Sequence, residues 1–302
     1  MPAAATTLLP NWLSSQSSVL ELAQPMGRWL SLLNPIAPSP RLAARSTASS
    51  QRLPGEFTCI DTPEQSYDSF SAWIAGCLTR EVGDEALAQA LAERIESGFR
   101  GRDWSGQSVE PTLAENFPAA RLGDRLLFII TDEVAEAAGI NGEVLATRWL
   151  NQLRLVLGDQ PLTLLDSQYA MHGLKPTGDN LRGDASWYGP YFHGRLTATG
   201  EIYNQDMFTA AHKELPFDTY LKITNLLTGD QLVVRINDRG PYVGDRMLDL
   251  SLGAATYLGA KDTGVVPIRA EVLEPADPLQ VQLPDFDREQ ALQRPLITMR
   301  RP

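Results

Sequence analysis

From residue 183 to about residue 275 the chain is written in short β-rich runs, at 185–188, 220–224, 231–236 and 266–273, with turns between them and one helical stretch at 252–258. Runs of this length bounded by Gly, Pro, Asn and Asp read as strands. Strands this short, with hardly any helix to cover them, have few ways to hide their unpaired edges. A small closed barrel removes the edges altogether, so an all-β barrel is the expected architecture of the last third of the chain.

The rest of the 302 residues divides by texture. Residues 1–54 are rich in Pro, Ser and Ala, and Pro35, Pro38 and Pro40 preclude a long helix there, so a disordered linker is expected. Residues 55–165 read as a small α/β module. Asp84 can cap a helix carrying Leu87, Leu91 and Ile95, and the apolar run 125–130 suits a buried strand. Asn141 can cap a second helix with Leu145, Trp149, Leu153 and Leu157 on one face, which Gly158 stops. That stripe reads as core. Residues 166–182 carry Gly and Pro with little periodicity and are expected to be a connection, and residues 276–302 a flexible tail.

Composition excludes some functions. With 26 basic and 37 acidic residues the net charge is −11, the wrong sign for nucleic-acid binding. No stretch is long and apolar enough to span a bilayer, and no signal peptide is visible at the start: either the true start lies upstream or export takes another route. Two cysteines, Cys59 and Cys77, cannot build a four-ligand zinc site. They form either one disulfide or two buried thiols. Three histidines without a His-Glu-x-x-His pattern argue against a catalytic metal, and no glycine loop would cradle a phosphate. No cofactor is expected. Ser186, His212 and Asp238 could be drawn as a nucleophilic triad, but no nucleophile elbow surrounds Ser186.

Four segments concentrate polar groups: Gly-Asp-Ala-Ser-Trp-Tyr-Gly-Pro at 183–190, Phe-His-Gly-Arg-Leu-Thr-Ala-Thr-Gly-Glu at 192–201, Thr-Ala-Ala-His at 209–212, and Arg-Ile-Asn-Asp-Arg-Gly-Pro-Tyr at 235–242. Together with Leu-Pro-Phe at 215–217 and Leu-Asp-Leu-Ser at 248–251, they resemble the rare lipoprotein A (RlpA) family over roughly residues 183–274. The resemblance implies a six-stranded double-psi β-barrel related to expansins. It also implies lytic transglycosylase activity on peptidoglycan strands stripped of their stem peptides. In that reaction the bond between N-acetylmuramic acid and N-acetylglucosamine is cleaved by the sugar's own C6 hydroxyl, leaving 1,6-anhydro ends. The substrate in turn implies the cell envelope or periplasm. The chain departs from the family in showing no lipobox cysteine and no peptidoglycan-binding repeat after Pro275.

Carried onto this sequence, the resemblance makes Asp238 the acid/base, with Glu201 and His212 completing the catalytic set. A carboxyl that acts as an acid near neutral pH must hold its proton unusually tightly, and partial burial or a second carboxylate can bring this about. Glu201 is therefore expected either to act on Asp238 as a like charge or to bind a sugar hydroxyl. His212 is expected to bond a carboxyl or the substrate's acetamido group. Each has a plainer reading: Asp238 and Glu201 as turn residues and His212 as a satisfied core group. Tyr188 and Tyr242 are expected to offer flat apolar faces to sugar rings. Arg195 and Arg239 would meet the lactyl carboxylate, or else pair with Asp249 or Asp184. His193 is expected beside the substrate. Two alternatives stay open: a glycan-binding or expansin-like wall-loosening barrel without turnover, and a barrel that anchors residues 55–165 as a module for septal or envelope proteins. As a separable module, 55–165 should be removable without loss of cleavage.

Overall fold

The computed structural model describes residues 70–101 and 106–276. The expected linker at 1–54, the tail after residue 276 and Cys59 lie outside the described residues. Two helices open the described chain, α1 (Phe70–Val82) and α2 (Glu85–Phe99). The Asp84 carboxylate accepts the Leu87 N–H at 2.9 Å and starts α2, whose Ala88, Ala92, Ile95 and Phe99 are buried. An antiparallel sheet follows, with β1 (Val109–Ala114), β2 (Phe117–Leu122) and β3 (Arg125–Ile129) in that order. Then come α3 (Asp132–Ala138) and α4 (Gly142–Leu157). Asn141 caps α4 by accepting from Glu143 N and Val144 N, and Gly158 ends it at φ +83°. Leu145, Trp149 and Leu153 of α4 are buried against α1, α2 and the sheet.

The stretch 166–182 is not the irregular connection its composition suggests. It holds most of α5 (Leu164–His172) and the first half of β4 (Leu174–Trp187). Two features hide the strand in sequence: Pro176 and Gly178 interrupt its alternation, and its pairing with the last strand carries an irregularity between Pro176 and Asn180. The barrel therefore begins at Leu174, nine residues before residue 183.

Six strands close the barrel: β4, β5 (Thr209–His212), β6 (Tyr220–Asn225), β7 (Gln231–Asp238), β8 (Leu248–Leu250) and β9 (Val266–Pro275). Their order is β4-β8-β5-β7-β6-β9, and β9 returns to β4. The pairs β4·β8 and β5·β7 are parallel and the rest antiparallel. Side chains alternate across each strand. Leu232, Val234 and Ile236 of β7, with Leu248 and Leu250 of β8, point into the core, while Val233, Arg235 and Asp249 point outward. Helix α6 (Leu252–Tyr257), capped by Ser251, closes one side of the barrel with Ala254 and Ala255.

Module and barrel share packing. Val144 of α4 and Leu164 of α5 belong to the barrel's core. Gln168, fully buried on α5, donates from Nε2 to the Val233 carbonyl at 3.0 Å and accepts the Val233 N–H at 2.8 Å. The backbone of Arg235, two residues on, bonds Phe208 just ahead of β5. Strand β5 is only four residues long, so the Gln168 amide takes the place of the strand residue that β7 lacks.

Candidate active site

Register across four adjacent strands sets one lateral row on the outside of the barrel. Ser186 of β4 pairs with Asp249 of β8, Asp249 with Ala211 of β5, and Ala211 with Asp238 of β7. Asp249 and Asp238 therefore flank Ala211, two strand spacings or roughly 10 Å apart at Cα. A small residue in the middle leaves the gap open. Gly240, at φ +141°, continues this crowded corner: a Cβ on it would sit 3.8 Å from Ala211 Cβ and 3.9 Å from Asp249 Oδ2.

Each acid is held by one oxygen. Asp238 Oδ1 accepts the N–H of Ala198 at 2.9 Å and that of Arg239 at 2.8 Å, and no bond to Oδ2 occurs among the described residues. Asp249 Oδ1 accepts from Ser186 Oγ and lies 3.6 Å from Arg246 Nε. The Ser186 hydroxyl is thus committed to Asp249, and the arginine beside Asp249 is Arg246 rather than Arg195 or Arg239.

His212 follows Ala211 and brings an imidazole to the same edge. Its Nδ1 accepts two backbone N–H groups, from Glu214 at 3.0 Å and Leu215 at 2.9 Å. A nitrogen that accepts twice carries no proton, so the ring proton sits on Nε2. Burial, helped by Arg239 and Lys213, holds this imidazole below its ordinary pKa, and Glu214 opposes the shift.

Glu201 is differently placed. Arg235 Nη1 and Nη2 reach its two oxygens at 2.8 Å each, and Asn237 Nδ2 adds a bond to Oε2 at 3.1 Å. The Arg235 bonds hold its carboxyl below the usual carboxylate range, against the opposing effect of burial. Both oxygens are engaged within the protein. Its connection to Asp238 runs through the backbone of the hairpin that carries it.

The expected aromatic and basic groups take several positions. Tyr188 is half-buried, its ring 4.5 Å from Tyr203 and 6.2 Å from Phe192, and burial pushes its hydroxyl far above the ordinary tyrosine range. The charges of Asp238 and Asp249 add to that upward shift, after burial and Tyr203. Tyr242 is 82% exposed beyond the Gly240–Pro241 turn. Arg195 stacks 4.0 Å over Tyr191, itself exposed. His193 is exposed, with Nδ1 accepting the Gln205 N–H at 3.2 Å. Arg239 lies 3.7 Å over Phe217 and donates from Nη1 to the carbonyls of His212 and Leu215, clamping the loop that fixes the imidazole.

Asp249 and Tyr203 were missed from sequence. Asp249 had a usable signal: in Leu-Asp-Leu the two leucines must face the core, which turns the acid outward. No group of three or more His, Cys, Asp or Glu able to hold a metal occurs among the described residues.

Residues 180–270 match the sequence model described as lytic transglycolase. The chain is 53% identical over 96 residues to the endolytic peptidoglycan transglycosylase RlpA of Campylobacter jejuni, covering 32% of this chain and 35% of that protein. It is 41% identical over 197 residues to a probable endolytic peptidoglycan transglycosylase RlpA of Synechocystis, covering 62% of this chain and 61% of the relative. That match is longer than the stretch from Leu174 to the C-terminus, so it takes in part of the helical module. With the Aquifex aeolicus relative of the same probable name the identity is 50% over 102 residues, 34% of this chain and 45% of the other. The matched stretches span between about a third and three fifths of these relatives. Among solved structures, a Clavibacter michiganensis expansin bound to cellohexaose aligns over 33% of this chain and 54% of its own at 19% identity, with a TM-score of 0.28.

Proposed function

Since residues 180–270 form an RlpA-like double-psi β-barrel domain, we propose that this protein is an endolytic peptidoglycan lytic transglycosylase with Asp238 as its acid/base. The observation that carries the assignment is the state of Asp238. Two backbone N–H groups pin Oδ1, while Oδ2 has no bond among the described residues, on an outer row that also holds Asp249 and Ala211, the residue before His212. A carboxyl fixed by one oxygen presents the other in a set direction, as proton transfer requires.

In the proposed reaction Asp238 protonates the oxygen leaving C1 of N-acetylmuramic acid. The C6 hydroxyl of the same sugar attacks C1, and Asp238 then takes up the hydroxyl proton, returning to its starting form. One bond forms and one breaks within a single strand, so neither a water nor a second carboxyl nucleophile is needed, unlike in two-carboxylate hydrolysis. Nε2–H of His212 would donate to the substrate. Tyr188, Tyr242, Arg195 and His193 would border the strand, and Arg239 would act by holding the His212 loop. Such a substrate would put the protein in the cell envelope. Residues 55–165 would carry any contact with septal or envelope proteins.

Digesting denuded strands with the purified chain and reading 1,6-anhydro-muramic ends by mass spectrometry tests this. Asp238→Asn should lower their formation by at least ~10²-fold while strand binding persists. Undiminished ends in that variant would remove Asp238 from the chemistry. The exposed rings of Tyr191 and Tyr242 favour a second reading as a glycan binder. Wild-type protein that retains strands without forming anhydro ends would establish it.

A further inference from the structure

The segment that touches Asp238 is a hairpin with little holding it. Its arms, 194–197 and 201–203, are joined by Gly194 N to Tyr203 O, Tyr203 N to Arg195 O and Thr197 N to Glu201 O, and Leu196 and Ile202 form an isolated bridge. Those two side chains are 74% and 71% exposed, and of the two arms only Thr197 and Tyr203 are buried. A two-stranded hairpin of this kind is marginal by itself. It is fixed at two places. At its base Tyr203 is buried against Tyr188. At its tip the turn 197–200, closed by Gly200 N to Thr197 O with Gly200 at φ +88°, is followed directly by Glu201, whose carboxylate is bonded three times to β7. Asp238 receives its bond from Ala198, inside that turn.

Resting on the catalytic reading of Asp238, we propose that Glu201 and Arg235 are positioning residues: their ion pair holds the 197–200 turn against β7 and so keeps the Ala198 N–H on Asp238 Oδ1. The pair spans the same two elements as the Ala198–Asp238 bond, three residues away on each side. Both Glu201 oxygens accept from the Arg235 guanidinium, which favours the charged carboxylate over a proton-donating role. Arg235 also donates to Asp218 Oδ1 at 2.7 Å, so the cation keeps a partner when Glu201 is removed and the barrel stays folded.

The test uses the full chain, with turnover of denuded strands and hydrogen exchange of the Ala198 amide as separate readouts. Glu201→Ala should lower kcat by about 10²-fold, the cost of a small misplacement of the reacting group, with KM changed less than about threefold. Ala198 exchange should accelerate while the Tyr203 amide at the base stays protected. Exchanging the charges, Glu201→Arg with Arg235→Glu, should recover both Ala198 protection and at least a tenth of turnover. Ala198 protection unchanged in Glu201→Ala would overturn the proposal, as would a charge exchange that restores protection without restoring turnover. Should the wild-type chain fail to cleave strands, the catalytic reading falls alone, because the exchange measurements still decide whether the pair holds the turn.

Discussion

His212 shows how little surrounding structure is needed to commit a side chain to one role. Two backbone N–H groups on Nδ1 disfavour the imidazolium, which would place a proton where two already point. A native pKa below the unfolded one means the unfolded chain takes up the proton first as the pH falls. The stability tied to the neutral ring is therefore present above about pH 6.5, the unfolded imidazole value, and is lost between there and the lower native pKa. Denaturant unfolding of wild type and His212→Gln at pH 7.5 and pH 5 should show the wild type losing more on acidification. Equal losses would mean that the ring does not titrate as the geometry requires. Asp238 and His212 were singled out chiefly through the family motifs, and the pairing of β5 with β7, whose last residues they are, brings them to one edge. The position of Glu201 was legible but its work was not. Three bonds to Arg235 and Asn237 depend on β7 lying beside the hairpin, a neighbour more than thirty residues away in sequence.

At the level of elements, the longer strands β6, β7 and β9 announced themselves through runs of Val, Ile and Leu, and α2 and α4 through capping residues and apolar stripes. The short strands did not: β5 has four residues and β8 three, too few for a period of two to stand out. The start of β4 was obscured by Pro176 and Gly178. Helix α5 has its own lesson, since Gln168 is a polar residue wholly buried at a joint. Its amide satisfies both backbone groups of Val233, which would otherwise be stranded away from water. Gln168→Leu keeps the volume and removes these two bonds and a third to Glu143 Oε2, so it should destabilise the chain by about 2–4 kcal/mol in urea unfolding. A loss below about 0.5 kcal/mol would show that β7 finds other partners there.

Over the whole molecule, described residues of the 55–165 module are packed into the barrel. Val144 and Leu164 sit in the barrel's core, and Asn141 Nδ2 donates to the Asp206 carbonyl at 2.8 Å. The sequence-based expectation that removing them would spare cleavage meets this shared packing. A chain beginning at Thr163 keeps α5, and one beginning at Gly173 loses it. The second should melt roughly 10 °C or more below the first, because it exposes the Leu164 contact surface and leaves Val233 unpaired. Equal melting temperatures would make the helix dispensable. The closing of the barrel has another consequence. Leu174 is paired with Pro275, and the Ala276 N–H bonds the Gly173 carbonyl at 2.7 Å, so the backbone leaves the barrel beside the point where it arrived. Ser186 stands at the other end of β4, on the order of 30–40 Å of strand away. A fluorescent tag grafted just past Ala276 would ride at the end of β4 opposite the two acids and leave the proposed site clear.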